Sequence, residues 1–486
     1  MLMDEIQSPI PAAAAPPGHV PDTASTPDQG RRPGVGQLAT AIRKLARTSV
    51  LVVGDAMLDR YIYGTVERVS REAPVPVLSV DREVAVPGGA GNVVRNLGAL
   101  GVAVAFVSVV GDDQTGSDLT GLIGSQPGVE PWLLVQGSRT TTRKTRFMAQ
   151  GQQLLRTDRE DTSPIHPKLA ERLLRIVRDA MAATSVTILS DYGKGVLSGD
   201  MPAQIIAAAR ATGRPVVVDM RGIEFGRYAG ADVILPSHYD LQLFAGTPLN
   251  TDAAIVTAAA NLRTLYGFGA VLVNRAEDGM TLVDGTGACH LRGEATEIVD
   301  VSGAGDTAVA ALAAGMAAGL DLAIAAHVAM TASAVVLGRS GISVAREGDL
   351  LAAINPQGSA LRKIVSLEAA ASRVESWRRE GRQVAVTVGR FESLDAAETQ
   401  TLSESRAAAD RLVIGLERDT QQSNQPPEAV RAAQLASLDA VDLVVMIDSV
   451  NPAELLHALR PDLLIGPTSQ PGAELLPTWG GRVAVV

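Results

Sequence analysis

Residues 300–308 read DVSGAGDTA. A carboxylate, Asp306, follows Gly303, Ala304 and Gly305 directly. An Ala-rich stretch with helical character, AVAALAAGMAAG, runs over 308–319. The two glycines let a ligand approach the chain closely. The first amides of a helix have no internal partners and carry the positive end of its dipole, so they attract anions. A carboxylate beside such an anion hole can take the proton of a hydroxyl as that hydroxyl attacks a phosphoryl group. The plainer alternative is an aspartate N-cap with glycines in an ordinary turn.

Two N-terminal stretches carry further candidates. VVGDAMLDRY (52–61) puts Asp55 and Asp59 just past a strand, where carboxylates can receive sugar hydroxyls. PGGAGNVVRNLGALG (87–101) puts Gly88, Gly89 and Asn92 at the start of a helix. Either stretch alone reads equally well as a helix cap or a turn.

The elements that must position these residues alternate. SVLVVGD (49–55), VAVAFVSVVGD (102–112), SVTILSDY (185–192), PVVVDM (215–220), DVILP (232–236) and AVLVNR (270–275) are apolar, β-branched runs of the kind buried in parallel sheets. Helical stretches such as 166–184 and 201–213 lie between them. The pattern is α/β, a doubly wound sheet with helices on both faces. Two segments alternate apolar and polar residues instead, 74–89 and 140–158. They predict antiparallel strands forming a small β lid over the carboxyl edge of the sheet, where ligands sit in open α/β sheets. A second, smaller α/β unit follows, with strands at 383–388, 410–416, 441–447, 461–466 and 482–486. The expected organisation is a disordered tail over 1–36, a first domain over 37–350, a linker helix within 351–382 and a second domain over 383–486.

Composition sets bounds. The 486 residues suit about two or three domains. Hydrophobic residues make up 46% and charged ones 20%, which is globular, and aromatics are only 3%, so Val, Leu, Ile and Ala must fill the cores. A net charge of −10 argues against nucleic acid as a partner. One cysteine, Cys289, forms no internal disulfide framework, and the six histidines lack metal-ligand spacing. The most apolar region, 308–337, is interrupted by Asp321 and His327 and rich in Ala and Gly, so buried helices are expected there, not a membrane span. The N-terminal stretch has no basic start and no apolar core of a signal peptide, so a cytoplasmic location is expected.

With DVSGAGDT at the appropriate distance, the N-terminal stretches resemble the PfkB (ribokinase-like) carbohydrate kinase family, which has a signature near each end. GDAMLDRYIYGTVERVSREAPVPVLSV (54–80), RKTRFMAQGQQLLRTD (143–158), SDYGKGVL (190–197) and DVSGAGDT (300–307) look like its D-glycero-β-D-manno-heptose 7-phosphate kinase branch, over about residues 48–348. The resemblance implies a sugar phosphate and ATP as substrates, with Mg²⁺ and room for a monovalent cation, and a homodimer. It implies that Asp306 is the base and that the amides of Gly303, Ala304 and Gly305 form the anion hole. Asp59, Gly88, Gly89 and Asn92 would hold the sugar. Lys144, Arg146 and Lys194 would face the phosphate already on it, with a solvated lid surface as the alternative for Lys144 and Arg146. LPSHYDLQ (235–242) falls at the family's Asn-x-x-Glu motif near the phosphates and Mg²⁺, which assigns Ser237, His238, Tyr239 and Asp240 to ATP and places the metal near Asp240. VNRAEDGM (273–280) falls at a nucleotide-edge strand and turn, which adds Asn274, Glu277 and Gly279. Two departures stand out. The Asn-x-x-Glu amide is replaced by Ser237, and the branch's Asp-Pro-Lys reads Asp219-Met220-Arg221.

In this branch a second domain resembles a nucleotidyltransferase acting on heptose 1-phosphate with ATP, marked by Thr-Asn-Gly-x-Phe-Asp and His-x-Gly-His. Here TVGRFESLDAAE (387–398) keeps Thr387, Gly389 and Phe391, but Asp395 and Glu398 stand at the histidine positions. Two anions beside a triphosphate repel it. The family's Lys-Gly-Gly-Asp is replaced at Gly466-Pro-Thr-Ser, and its closing Ser/Thr-rich segment would lie beyond Val486. The expectation is a degenerate Rossmann-like domain that has lost adenylyl transfer. The alternatives are a bifunctional kinase and adenylyltransferase, or a kinase for another sugar phosphate whose second domain is a structural or dimerisation module.

Overall fold

The computed structural model describes residues 33–484 except 151, 292–299, 340, 356–360, 362, 380, 393, 419–426, 448–451 and 467–470. Most of the expected N-terminal tail therefore lies outside the described residues.

The run VLVV in the strand Ser49–Gly54 has no exposed surface on either face. Val50 and Val52 face one core, and Leu51 and Val53 face the other. This strand is central to a nine-stranded sheet. On one side lie Ala103–Gly111 and then Val129–Gln136. On the other lie Val186–Asp191, Val216–Met220, Val233–Ile234, Ala270–Asn274, Met280–Val283 and Ala288–Leu291. The first seven in sequence order are parallel, and the last two form an antiparallel hairpin at the edge. The chain moves outward one way from Ser49–Gly54 and later returns to build the other way, so strand order reverses between Ser49–Gly54 and Val186–Asp191. A crevice at the carboxyl ends of these two strands is the expected ligand site.

Helices cover both faces. Ala90–Ala99, Ala304–Ala317 and Leu322–Leu337 pack on one, and Pro167–Ala183, Met201–Ala211 and Asp252–Tyr266 on the other. The small residues of 308–337 serve close packing: a Cβ on Gly315 would lie 2.8 Å from Ala325 Cβ.

A four-stranded sheet forms the lid, in the order Pro76–Gly89, Ala56–Val69, Arg143–Ala149 and Gln152–Arg159. Asp59, expected just past a strand, lies instead within a strand of its own, Ala56–Val69. The polar pair Asp59 and Arg60 interrupts its apolar pattern, and both are neutralised across the sheet, by Arg146 and Glu83. The lid strands pair differently as well: Ala56–Val69 separates the two segments expected to form it, running antiparallel to one and parallel to the other.

The C-terminal unit is a six-stranded, fully parallel sheet in the order Ile364–Val365, Leu443–Ile447, Arg411–Glu417, Val384–Gly389, Leu463–Ile465 and Arg482–Ala484. Residues expected to link the two units belong to this one. Ile364 and Val365 are its edge strand, and Ala370 and Val374 of the helix Leu367–Arg379 are buried in its core. Their apolar spacing fits a linker helix and a core helix equally, so the sequence left this open. Among the described residues, no helix is long and apolar enough to cross a membrane.

Candidate active site

Asp306 lies in the first turn of the helix Ala304–Ala317, and Gly303 takes the N-cap place. The aspartate therefore does not cap its helix. Gly303 has φ of 81°, and a Cβ on it would sit 2.7 Å from Asn92 Nδ2. Only glycine meets both conditions without strain. The other aspartate of the stretch, Asp300, is structural: its carboxylate accepts from the amides of Ser302 and Gly341, at 2.8 and 3.0 Å.

Two signatures far apart in sequence meet here. Asn92 Nδ2 donates to Asp306 Oδ2 at 2.8 Å, and Thr307 Oγ1 donates to Asn96 Oδ1 at 2.9 Å. Asp306 is 7% exposed. Burial, and after it the charge of Asp219, pushes its carboxyl up to about 6, while Arg221, Tyr192 and Asn92 oppose the rise. A base with such a value suits proton abstraction near neutral pH. Of the three amides expected to bind anion, that of Ala304 already donates to Val301 O, at a long 3.4 Å. Among the described residues nothing accepts from the amides of Gly305 and Asp306, and a Cβ on Gly305 would meet nothing within 4 Å. The amide of Gly303 likewise has no acceptor among the described residues, so the helix start keeps open amides on both sides of Ala304.

Three groups around Asp306 were not assigned roles from sequence. Tyr192 donates its hydroxyl proton to Asp306 Oδ1. Arg221 Nη1 holds Asp219 Oδ1 at 2.7 Å, and its Nη2 donates to Tyr192 Oη at 3.2 Å and lies 3.8 Å from Asp306 Oδ1. Arg95 Nη1 donates to Asn92 Oδ1 at 3.0 Å. The third position after Asn92 puts Arg95 one helical turn away, a spacing that could have singled it out. Nothing local to SDYGKGVL marks Tyr192.

Asp55 does something other than meet a sugar. Its carboxylate accepts from the amides of Tyr192, Lys194 and Val196, at 2.8, 2.9 and 3.1 Å. It is 1% exposed. Burial, then Asp191, pushes it up to about 6 against those three amides. It shapes the loop that carries Tyr192 and Lys194.

Asp59 lies on the lid strand Ala56–Val69, 4% exposed, with Arg146 Nη1 at 2.5 Å from its Oδ1. A Cβ on Gly88 would stand 1.9 Å from Asp59 Oδ2, so the glycine makes room for the carboxylate. Gly89 is pressed against the Asp55 carbonyl in the same way, at 2.7 Å, and caps the helix that carries Asn92. Register pairs Asp59 with Lys144 and Lys144 with Asp158, and Arg146 with Tyr61 and Arg156. Alternate residues of a strand share a face, so all of these lie on one side of the lid. Burial lowers the Lys144 ammonium below its ordinary value, with Arg156 and Lys194 adding to the fall against Asp59 and Asp158. Lys194 Nζ is paired with Glu160 Oε2 at 2.7 Å. Lys144 and Arg146 thus stand beside Asp59, with Lys194 and Arg156 near Lys144.

The residues assigned to ATP form a separate group at the ends of Val233–Ile234 and Ala270–Asn274, and share no hydrogen bond with Asp306 among the described residues. Ser237 bridges to Asn274. Ser237 caps the helix His238–Ala245: its Oγ accepts from Asp240 N at 3.1 Å and donates to Asp240 Oδ2 at 2.5 Å. His238 Nε2 donates to Leu249 O at 2.9 Å, and Tyr239 is 66% exposed. Asn274 Oδ1 accepts from Ala276 N, and Gly279 closes the following turn. The side chain of Glu277 lies outside the described residues. A cleft of about 240 Å³ beside this group is lined by His238, Leu249, Asn250, Ile255, Arg275 and Asp278. Among the described residues no three His, Cys, Asp or Glu side chains gather as a metal site. Mg²⁺ commonly takes one or two carboxylates and the substrate's phosphates, and the single buried carboxylate of Asp240 fits that mode.

In the C-terminal unit, Asp395 caps the helix Ala396–Ala407 and accepts from Glu398 N at 2.9 Å. Burial, then Asp395 and Glu392, raises the Glu398 carboxyl. Gly466 follows the strand Leu463–Ile465, and its amide donates to Ala484 O at 3.1 Å. The Pro-Thr-Ser after it lies outside the described residues.

Residues 47–347 match the family model described as pfkB family carbohydrate kinase. The chain belongs to the pfkB carbohydrate kinases. The phosphoryl acceptor in this family is an alcohol group, and Asp306 lies within the matched residues. The chain is 54% identical to the bifunctional protein HldE of Acidiphilium cryptum over 92% of its length and 95% of that protein. It is 44% identical to the bifunctional protein HldE of Paramagnetospirillum magneticum, over 92% and 95%. Among solved structures it resembles Arabidopsis thaliana ribokinase complexed with ribose and ATP, with a TM-score of 0.51, 22% identity and coverage of 63% and 98%. It also resembles Escherichia coli phosphofructokinase-2 in complex with potassium, with a TM-score of 0.54, 18% identity and coverage of 64% and 99%. The first unit of this pfkB kinase therefore has the ribokinase-like fold. The two relatives match across both units, and this gives no support to the expected loss of the second activity.

Proposed function

We propose that this pfkB kinase moves the γ-phosphoryl group of ATP to the anomeric hydroxyl of D-glycero-β-D-manno-heptose 7-phosphate, giving the 1,7-bisphosphate for ADP-heptose and the lipopolysaccharide core. The observation that carries the reading is the meeting of Asp306 and Asn92 at the strand-order reversal, with Asp59 near enough to act on Arg95, which is bonded to Asn92, and with lid cations beside Asp59. Asp306 takes the proton of the attacking hydroxyl. Asp59 and Asn92 hold the sugar, with room made by Gly88 and Gly89. Lys144, Arg146 and Lys194 hold its 7-phosphate, for which fixed positive charge is needed. Gly303, Ala304 and Gly305 present the helix start to the moving group. Ser237 to Asp240, with Asn274, Glu277 and Gly279, line the nucleotide's place, and Asp240 would hold Mg²⁺. Bound there, the ion neutralises phosphate charge. A cytoplasmic homodimer belongs to the same reading.

A second reading keeps adenylyl transfer in the C-terminal unit. It is favoured by relatives called bifunctional that match 92% of the chain, and it fits them at least as well. Against it stand Asp395 and Glu398 where imidazoles would face a triphosphate. One assay separates the readings. The full chain is given ATP and Mg²⁺ with heptose 7-phosphate or heptose 1-phosphate, and ADP and pyrophosphate are followed separately. ADP with the 7-phosphate supports the kinase. Pyrophosphate with the 1-phosphate establishes the second activity, and its absence supports a degenerate domain. No ADP with the 7-phosphate overturns the assigned sugar.

A further inference from the structure

Tyr192 and Arg221 surround Asp306 in a way that the roles proposed above leave unused. A tyrosine hydroxyl has one proton to give and can accept from others. A guanidinium only donates. Arg221 Nη2 donates to Tyr192 Oη at 3.2 Å, so the single tyrosine proton has to point elsewhere, and it points to Asp306 Oδ1. Both partners are fixed. Arg221 is anchored on Asp219 Oδ1 at 2.7 Å and stacks on the Tyr192 ring with 4.7 Å from its central carbon to the ring centre. The Tyr192 amide is tied to Asp55 Oδ2 at 2.8 Å.

Asp306 needs such donors. It is buried, and Asp219 adds a second negative charge whose Oδ2 has no partner of its own among the described residues. Both effects favour the neutral acid, which cannot accept a proton. The groups that act against them are Arg221 and Tyr192, from the ends of the strands Val216–Met220 and Val186–Asp191, and Asn92 from the helix Ala90–Ala99.

We propose that Arg221 and Tyr192 act as a one-way donor pair that keeps Asp306 ionised and aimed, which makes Tyr192 a positioning residue of the kinase. The inference rests on Asp306 as the base. Removing the Tyr192 hydroxyl removes a bond made to the ionised form, so Asp306 must then titrate at higher pH.

The test uses the full chain with ¹³C-labelled aspartate carboxyls, without substrate, and takes Asp306→Asn to identify the Asp306 signal. Tyr192→Phe keeps the ring and its stacking. Its Asp306 midpoint is expected to rise by about one pH unit, which is tenfold in the ionisation constant. Arg221→Met is expected to move it the same way. In parallel, kcat/KM is measured against pH with ATP, Mg²⁺ and heptose 7-phosphate, and the acid limb of Tyr192→Phe is expected to shift with the midpoint. A midpoint unmoved in both variants overturns the donor pair, even where Asp306→Asn is inactive and the base reading stands. Turnover retained by Asp306→Asn overturns the base reading instead, while the substrate-free titration still decides whether the pair holds Asp306 ionised.

Discussion

Asp306 shows what a single residue costs and what it supplies. Its carboxyl is raised from 3.8 to about 6, so the folded chain binds a proton more readily than the unfolded one. The sign follows directly. Above about pH 6 the ionised, buried group destabilises the fold, by on the order of 3 kcal/mol. The penalty shrinks as pH falls through that value and is gone below the unfolded value. Asp306→Asn is therefore expected to abolish most turnover and yet to melt several degrees higher than the natural protein at pH 7.5. The gap should close as the two are melted toward pH 4. Equal melting temperatures at pH 7.5 would mean that Asn92, Tyr192 and Arg221 already offset the burial of the charge. Asp306 was legible in the sequence because its signature is local: glycines, a small residue and a carboxylate opening a helix. Tyr192 was not, because its role depends on two strand ends and a helix start that meet only in the fold.

Among elements, the lid shows where sequence reading fell short and why. Alternation marked two of its segments, but Ala56–Val69 was hidden by Asp59 and Arg60, polar residues that strand pairing alone neutralises. The register of that strand is what lines up Asp59 with Lys144. A phosphate on the sugar would meet Lys144 there, along with Arg156 and Lys194. Lys144→Met should raise KM for heptose 7-phosphate at least about tenfold, as expected from losing one charge-assisted bond. KM for ATP should change far less, since the residues proposed for ATP lie on other elements. A parallel rise in both constants would show the lid closing over the whole site, with no selective grip on the sugar's phosphate.

Across the whole molecule, burial divides cleanly. Two core clusters flank the nine-stranded sheet and draw only on residues up to Ile354, and two others draw only on residues from Ile364 onward. The helix Leu367–Arg379, read from sequence as a linker, falls with the later group, because nothing in its periodicity says which sheet its apolar side meets. Cores that share no buried residue unfold as separate cooperative units unless an interface couples them. Calorimetry on the full chain should then show two transitions. Leu464, fully buried in the later core, offers a selective probe. Leu464→Ala should cost about 2–5 kcal/mol and lower one transition by roughly 8 °C or more. The other transition, and ADP release with heptose 7-phosphate at 25 °C, should stay within about twofold of the natural protein, because no atom near Asp306 or Asp59 has been touched. Any pyrophosphate release would fall with the shifted transition, which would assign that activity to the C-terminal unit. A single transition that moves as one, with kinase turnover falling alongside it, would show instead that the two sheets fold and fail together.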